Sequence, residues 1–170
     1  MLKEEVPSRE GAGMNIEGMQ LTNLPGVWTV WGKRAEDGRG LMREIWCGKN
    51  PWKLDLLTTS HQHVLRGFHA DMKRWRMLTC VSGSIRHVAG NAKTGQWVRH
   101  HLTPEGPSIL WRPGILSGYL VLSQEASVLY NVTDVYRPGE QVTRRWNLFG
   151  LEPWEPMRTP ILSERDRNAD

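Results

Sequence analysis

RMLTCVSGSIRHVAGNAKTGQWVRHHL, residues 76–102, holds three extended runs divided by two turns. Arg76–Val81 and Ser84–Ala89 flank a Ser-Gly pair, and GNAKTG separates the second run from Gln96–Leu102. Gly, Asn and Ser are the residues that tolerate or stabilise tight turns, so these junctions predict antiparallel strands in hairpins. The pattern continues in both directions. Upstream lie Val27–Trp31, rich in β-branched and aromatic residues, then EDGRG, Leu41–Cys47, Trp52–Leu57 and Val64–His69. Downstream lie Ser108–Trp111, Gly118–Leu122 and Ala126–Val132, punctuated by TPEG and RPG. Many short strands at this spacing, with no amphipathic helix of three turns, predict an all-β sandwich or barrel.

The chain has 170 residues, enough for one domain with a real core. Residues 1–18 are polar and Gly-bearing, so a flexible arm is expected there and a single domain over 19–170. The segment after Trp146 carries Pro153, Pro156 and Pro160. It is expected to wrap the surface, with a short helix near Ser163–Arg167. No apolar run reaches the roughly 18 residues that span a bilayer. The N-terminal MLKEEVPSREGAG lacks the apolar stretch of a signal peptide. Cys80 lies in the apolar run Met77–Val81 and reads as a buried thiol; with Cys47 it suggests a reduced, cytoplasmic setting. The net charge of +4 is mild, and no Lys/Arg run is interleaved with aromatics, which argues against nucleic acid. It suits a small anionic ligand such as a nucleotide diphosphate. The nine tryptophans are expected mostly in the core or at interfaces.

Chemistry concentrates in TTSHQHVLRGFHA, residues 58–70. On a strand, His61 and His63 would share a face, with His69 beyond a glycine that can break the register. An HxH pair plus a third histidine is one route to a metal. Here the following positions are Val64, Leu65, Arg66 and Gly67, with no carboxylate and one cation, so no metal is expected. The other route is acid–base work by His69, whose imidazole titrates near neutral pH, with Arg66 holding a phosphate bidentately.

LRGFH at 65–69 resembles the dTDP-4-dehydrorhamnose 3,5-epimerases, and the likeness extends from about residue 20 to 166. DGRG at 37–40 with Glu44 resembles the family's D-x-R-G strand entry, and Thr58 and Ser60 stand where it has S-x-S. CVSGSI at 80–85, TGQWVRHHL at 94–102, PGILSGY at 113–119, ASVLYNVTDVY at 126–136, Glu140 with RWN at 145–147, and LSERD at 162–166 follow in the family's order. The resemblance implies a cupin jelly roll that forms a homodimer through exchanged strands. It also implies action, without a cofactor, on a dTDP-linked 4-keto-6-deoxy sugar. It makes His69 the base, Tyr130 the opposing acid and Arg76 the cation in the place of the family's lysine. Arg39 and Arg66 fall to the diphosphate, and Glu44, Ser60, Ser117 and Leu148 to the remaining substrate contacts.

The departures from the family pattern are specific. Leu148 fills the aspartate position of W-N-D, on which the catalytic histidine is expected to lean. Ser117 replaces the histidine of A-H-G, and Leu54 and Leu56 replace a Gln and an Asn. An unsupported His69 would leave its tautomer and orientation open. Three functions therefore follow: an epimerase, one inverting a single centre included; a non-catalytic nucleotide-sugar binder; and, third, a metal-dependent cupin.

Overall fold

The computed structural model describes residues 18–46, 50–137 and 139–170. Its strands are β1 (Met19–Leu21), β2 (Val27–Val30), β3 (Arg34–Asp37), β4 (Gly40–Arg43), β5 (Leu54–His61), β6 (Leu65–Asp71) and β7 (Arg76–Ser82). They continue as β8 (Ile85–Gly90), β9 (Trp97–Leu102), β10 (Ser108–Trp111), β11 (Leu116–Val121), β12 (Glu125–Val132) and β13 (Gln141–Thr143). A 3-10 turn at Glu152–Trp154 and one short helix, α1 (Glu164–Arg167), complete the order. Ser163 caps α1 by accepting from the Asp166 N–H, as a serine at that position should. The expected arm, residues 1–18, and Cys47 lie outside the described residues, apart from Gly18.

Six strands form one antiparallel sheet in the order β1-β2-β10-β7-β12-β5, and five form a second in the order β13-β6-β11-β8-β9. The non-consecutive neighbours mean that the chain crosses repeatedly between sheets, which is the jelly-roll way of closing a sandwich. The all-β expectation is met. The short hairpin β3–β4 stands apart from both sheets.

Between the sheets lies the main core, drawn from Leu78, Cys80, Ile109, Trp111 and Val128 on one side and Ile85, Leu102, Tyr119 and Val121 on the other. The Cys80 thiol is buried there, and burial raises its pKa to about 11. The outer face of the five-stranded sheet is covered too. Phe68, Val88, Leu116 and Leu120 meet Trp146, Phe149, Trp154 and Leu162 of the C-terminal segment. With both faces covered, all six residues of β11 are buried. The tail is tied to the sheet by a parallel bridge between Val64 and Ile161.

Two glycines stand where the backbone leaves no room for a side chain. Gly83 turns β7 into β8 at φ 72°, where a Cβ would lie 2.2 Å from the Glu125 carbonyl. Gly67 sits at φ 135°, and a Cβ there would lie 2.6 Å from the Cα of Gly118. At this close approach the ladder shifts: His69 pairs with Ser117, but Arg66 pairs with Tyr119. Three steps of β6 thus oppose two of β11, a bulge that re-aims side chains. Among the described residues, no helix is long and apolar enough to cross a membrane.

Candidate active site

A cavity of about 480 Å³ opens between the sheets. Arg66 and His69 reach it from β6, Ser117 from β11, Arg76 from β7, Trp111 from β10 and Tyr130 from β12. Strict alternation would put Arg66 and His69 on opposite faces of β6. The bulge at Gly67 brings both to the cavity, so the glycine between them is a geometric requirement. Ile161, Leu162, Ser163, Arg165 and Asp166 of the tail close the wall.

His69 does not stand alone. Its Nε2 lies 2.6 Å from Oδ1 of Asp166, a carboxylate 3% exposed. The Gly67 N–H donates to Oδ2 at 3.4 Å. Burial works against the charge on Asp166. The hydrogen bond and charge of His69, with Gly67 and Ser163, outweigh it and hold its pKa below the ordinary carboxylate value. An ionised Asp166 accepts from Nε2–H, which fixes the tautomer and leaves Nδ1 as the basic nitrogen. Leu148, by contrast, packs in the outer cluster with Trp146 and Phe149 and does not line the cavity. The expectation that Leu148 stands beside His69 in the place of an orienting carboxylate, leaving the ring unsupported, is therefore corrected.

Tyr130 faces the cavity from the opposite sheet. Burial first, then Tyr119, raises its phenol pKa far above the ordinary value, and the charges of Arg76 and Arg66 offset this only in part. It stays protonated at any working pH. Arg76 is held by Asp71 at 3.5 Å. With its amide oxygen turned inward, Gln141 accepts from both Nη groups of Arg76, at 2.6 and 3.2 Å. Arg66 donates through Nε to the buried Ser60 at 3.0 Å, so Ser60 acts by anchoring the arginine. Arg165 is braced on Thr143. Three arginines against one carboxylate make the cavity a place for an anion.

Other expected residues lie elsewhere. Arg39 sits on the β3–β4 hairpin, paired with Asp37 and 92% exposed, away from the cavity. Glu44 donates its N–H to the Lys33 carbonyl and does not line the cavity either. Leu56 lines the cavity and Leu54 does not. His61 and His63 do not share a strand face: β5 ends at His61, and His63 is in a turn at φ 67°. Among the described residues, no group of three His, Cys, Asp or Glu side chains is placed to hold a metal ion. Asp166, Gln141, Arg165 and Tyr136 line the cavity although the sequence reading gave none of them a site role, even with Arg165 and Asp166 inside LSERD and Tyr136 at the end of ASVLYNVTDVY. Asp166 did carry a signal, since S-x-x-D is an N-cap pattern whose acid here is buried rather than solvated.

Residues 21–170 match the profile of the dTDP-4-dehydrorhamnose 3,5-epimerase family. The chain belongs to that family. It is 30% identical to the dTDP-4-dehydrorhamnose 3,5-epimerase of Shigella flexneri over 166 residues, 87% of this chain and 92% of the relative. To the Pseudomonas aeruginosa enzyme of the same name it is 33% identical over 119 residues, 65% of this chain and 66% of the relative, just under two thirds of its length. Among solved structures, the Legionella pneumophila dTDP-6-deoxy-D-glucose-3,5-epimerase, in complex with dTDP-4-keto-L-rhamnose, superposes with a TM-score of 0.79 at 24% identity. That likeness covers 89% of this chain and 90% of the other. It shows the shared fold, which is the cupin-type jelly roll of this epimerase family. In this chain the cavity histidine is supported from LSERD, not from the segment after RWN.

Proposed function

We propose that the protein is an epimerase of dTDP-linked 4-keto-6-deoxy sugars. The observation that carries this reading is a histidine–aspartate pair on one wall of the cavity facing a protonated tyrosine on the other. A C–H next to a ketone is acidic because its loss gives an enolate. His69 Nδ1 takes that proton on one ring face, and Asp166 stabilises the imidazolium formed. Arg76, a guanidinium cation, stabilises the enolate oxygen. Tyr130 delivers its proton to the opposite face of the carbon, which inverts the centre, and solvent resets both groups. Arg66, fixed by Ser60, and Arg165 are the diphosphate contacts of this chain. The ligand named for the Legionella enzyme is of the same chemical class. The scheme draws on side chains alone, and activity that survives chelation is its expected behaviour.

The alternative of a non-catalytic binder rested on Leu148, taken to leave His69 unsupported, and on Ser117; the Asp166 contact removes the first ground. Exchange of one carbon proton or of two distinguishes a single-centre enzyme from a two-centre one. The test is incubation with dTDP-4-keto-6-deoxyglucose in deuterium oxide, followed by mass. Deuterium enters the sugar with wild type and not with His69→Asn; a wild type that binds dTDP yet exchanges nothing refutes the function.

Arg39 receives its role only in a dimer. The β3–β4 hairpin projects Arg39 with Met42, 65% exposed, and an apolar residue so exposed beside a cation suits a partner subunit. In a homodimer with exchanged hairpins, Arg39 and Glu44 would serve the partner's cavity. Light scattering that gives a monomer mass at micromolar concentration rejects this arrangement. A cytoplasmic location, where thiols stay reduced, is the corresponding expectation for fractionation.

A further inference from the structure

The cavity wall beside His69 is backed by two histidines that the scheme above does not use. Ser117 on β11 is the direct cross-strand partner of His69 on β6, so the two side chains stand next to each other on the cavity side. His87 on β8 places Nε2 3.0 Å from the Ser117 Oγ. Its Nδ1 lies 3.5 Å from Nδ1 of His100, its register partner on β9. The His87 ring is fully buried and tilted over Trp111, with centroids 5.5 Å apart. Ser117 and Trp111 line the cavity, and the two histidines stand behind them.

A neutral imidazole has one N–H and one lone pair. Burial lowers the pKa of both rings, and the charge His100 would carry adds to the effect on His87. The two contacts of His87 therefore run in opposite senses, one donated and one accepted. Either way, the Ser117 hydroxyl commits one of its roles to His87 and presents the other to the cavity. A hydroxyl held from behind adds no charge to the wall. It suits a sugar oxygen, while the arginines suit the phosphates.

We propose that Ser117 is a positioning and specificity residue for the sugar ring, its hydroxyl held by the buried His87, which is itself paired with His100, and directed at a ring oxygen beside the carbon that His69 deprotonates. The inference rests on the epimerase reading above. It implies that a substrate lacking that oxygen leaves the hydroxyl unpaired and is discriminated against.

The test uses four variants of the full chain: Ser117→Ala, His87→Phe, His87→Gln, and Ser117→Ala with His87→Phe. Two quantities are measured, kcat/KM for carbon-proton exchange of dTDP-4-keto-6-deoxyglucose and the Kd of dTDP by calorimetry. Loss of one neutral hydrogen bond predicts about a 3- to 10-fold fall in kcat/KM for Ser117→Ala and for His87→Phe. The dTDP Kd should be unchanged, because dTDP lacks the sugar. The double variant should be no worse than Ser117→Ala, since His87 acts through the serine. His87→Gln, whose amide reaches the position of imidazole Nε2, should recover most of the loss. Additive losses, or dTDP affinity falling in step with kcat/KM, would mean a structural role and overturn the inference. Should His87→Phe fail to fold, Ser117→Ala still decides, because it removes a single oxygen. Wild-type exchange with an unaffected Ser117→Ala overturns the inference alone. A wild type that exchanges no carbon proton overturns the epimerase reading and the inference with it.

Discussion

Replacing Asp166 by Asn isolates the support beneath the proposed base. Asparagine keeps the shape of the side chain and removes its charge. In the native site Oδ1 is 2.6 Å from His69 Nε2, and the carboxylate is buried and ionised. Its contribution grows when His69 takes the substrate proton, because a hydrogen bond from a neutral imidazole to the carboxylate then becomes an ion pair. Net hydrogen bonds to charged groups are worth about 1.5–3 kcal/mol. At about 1.36 kcal/mol per decade, this corresponds to a fall of roughly 10- to 150-fold in the exchange rate. Affinity for dTDP should not change, since Arg66 and Arg165 are untouched. The assay is single-turnover deuterium incorporation at saturating substrate, with calorimetry for dTDP on the same preparation. A folded Asp166→Asn protein that exchanges at the wild-type rate would refute the role given to the pair. Equal loss of dTDP binding would place Asp166 at the wrong end of the ligand.

Arg66→Ala should weaken dTDP binding by about 1.5–3 kcal/mol, and calorimetry showing equal affinity would remove Arg66 from the diphosphate site. His87 gives a pH signature. Its folded pKa is depressed, so the unfolded chain binds the extra proton first, and stability is full above the unfolded value near 6.5 and falls as pH drops below it. Chemical denaturation between pH 7 and 5 should show a slope of up to about 1.4 kcal/mol per pH unit from this group, flattened in His87→Gln; the same slope in both proteins would mean that His87 is not held neutral. Leu148→Asp should lower the denaturation midpoint by placing a charge in the outer apolar cluster, without altering the exchange rate of the folded fraction. A faster rate would return residue 148 to the base.

The strands that show in the sequence are those whose side chains decide their own conformation. Val27–Val30, Arg76–Ser82 and Glu125–Val132 are apolar or β-branched and end at turn residues. Arg34–Asp37 and Gln141–Thr143 give no such sign. The first is exposed along its whole length, and the second is a strand only because β6 lies beside it. The site divides in the same way. Arg66, Gly67 and His69 sit close in sequence, and their glycine announces a break in register. Asp166 is distant in the chain, and its burial depends on a tail docked onto a finished sheet. His87 shows nothing in sequence beyond a polar residue within a strand, because its partners Ser117 and His100 come from the two neighbouring strands.

Asp166 is the buried residue of α1, and its carboxylate pins that last turn to the wall of the cavity. The bond that serves the base is thus also the bond that docks the helix. In the proposed reaction, protonation of His69 would turn this contact into an ion pair, so the helix would be gripped hardest in the interval in which the enolate exists. Under that scheme the wall that Asp166 pins would be held most firmly around the most reactive species. Retention of the intermediate and release of product would in this way be coupled to one proton.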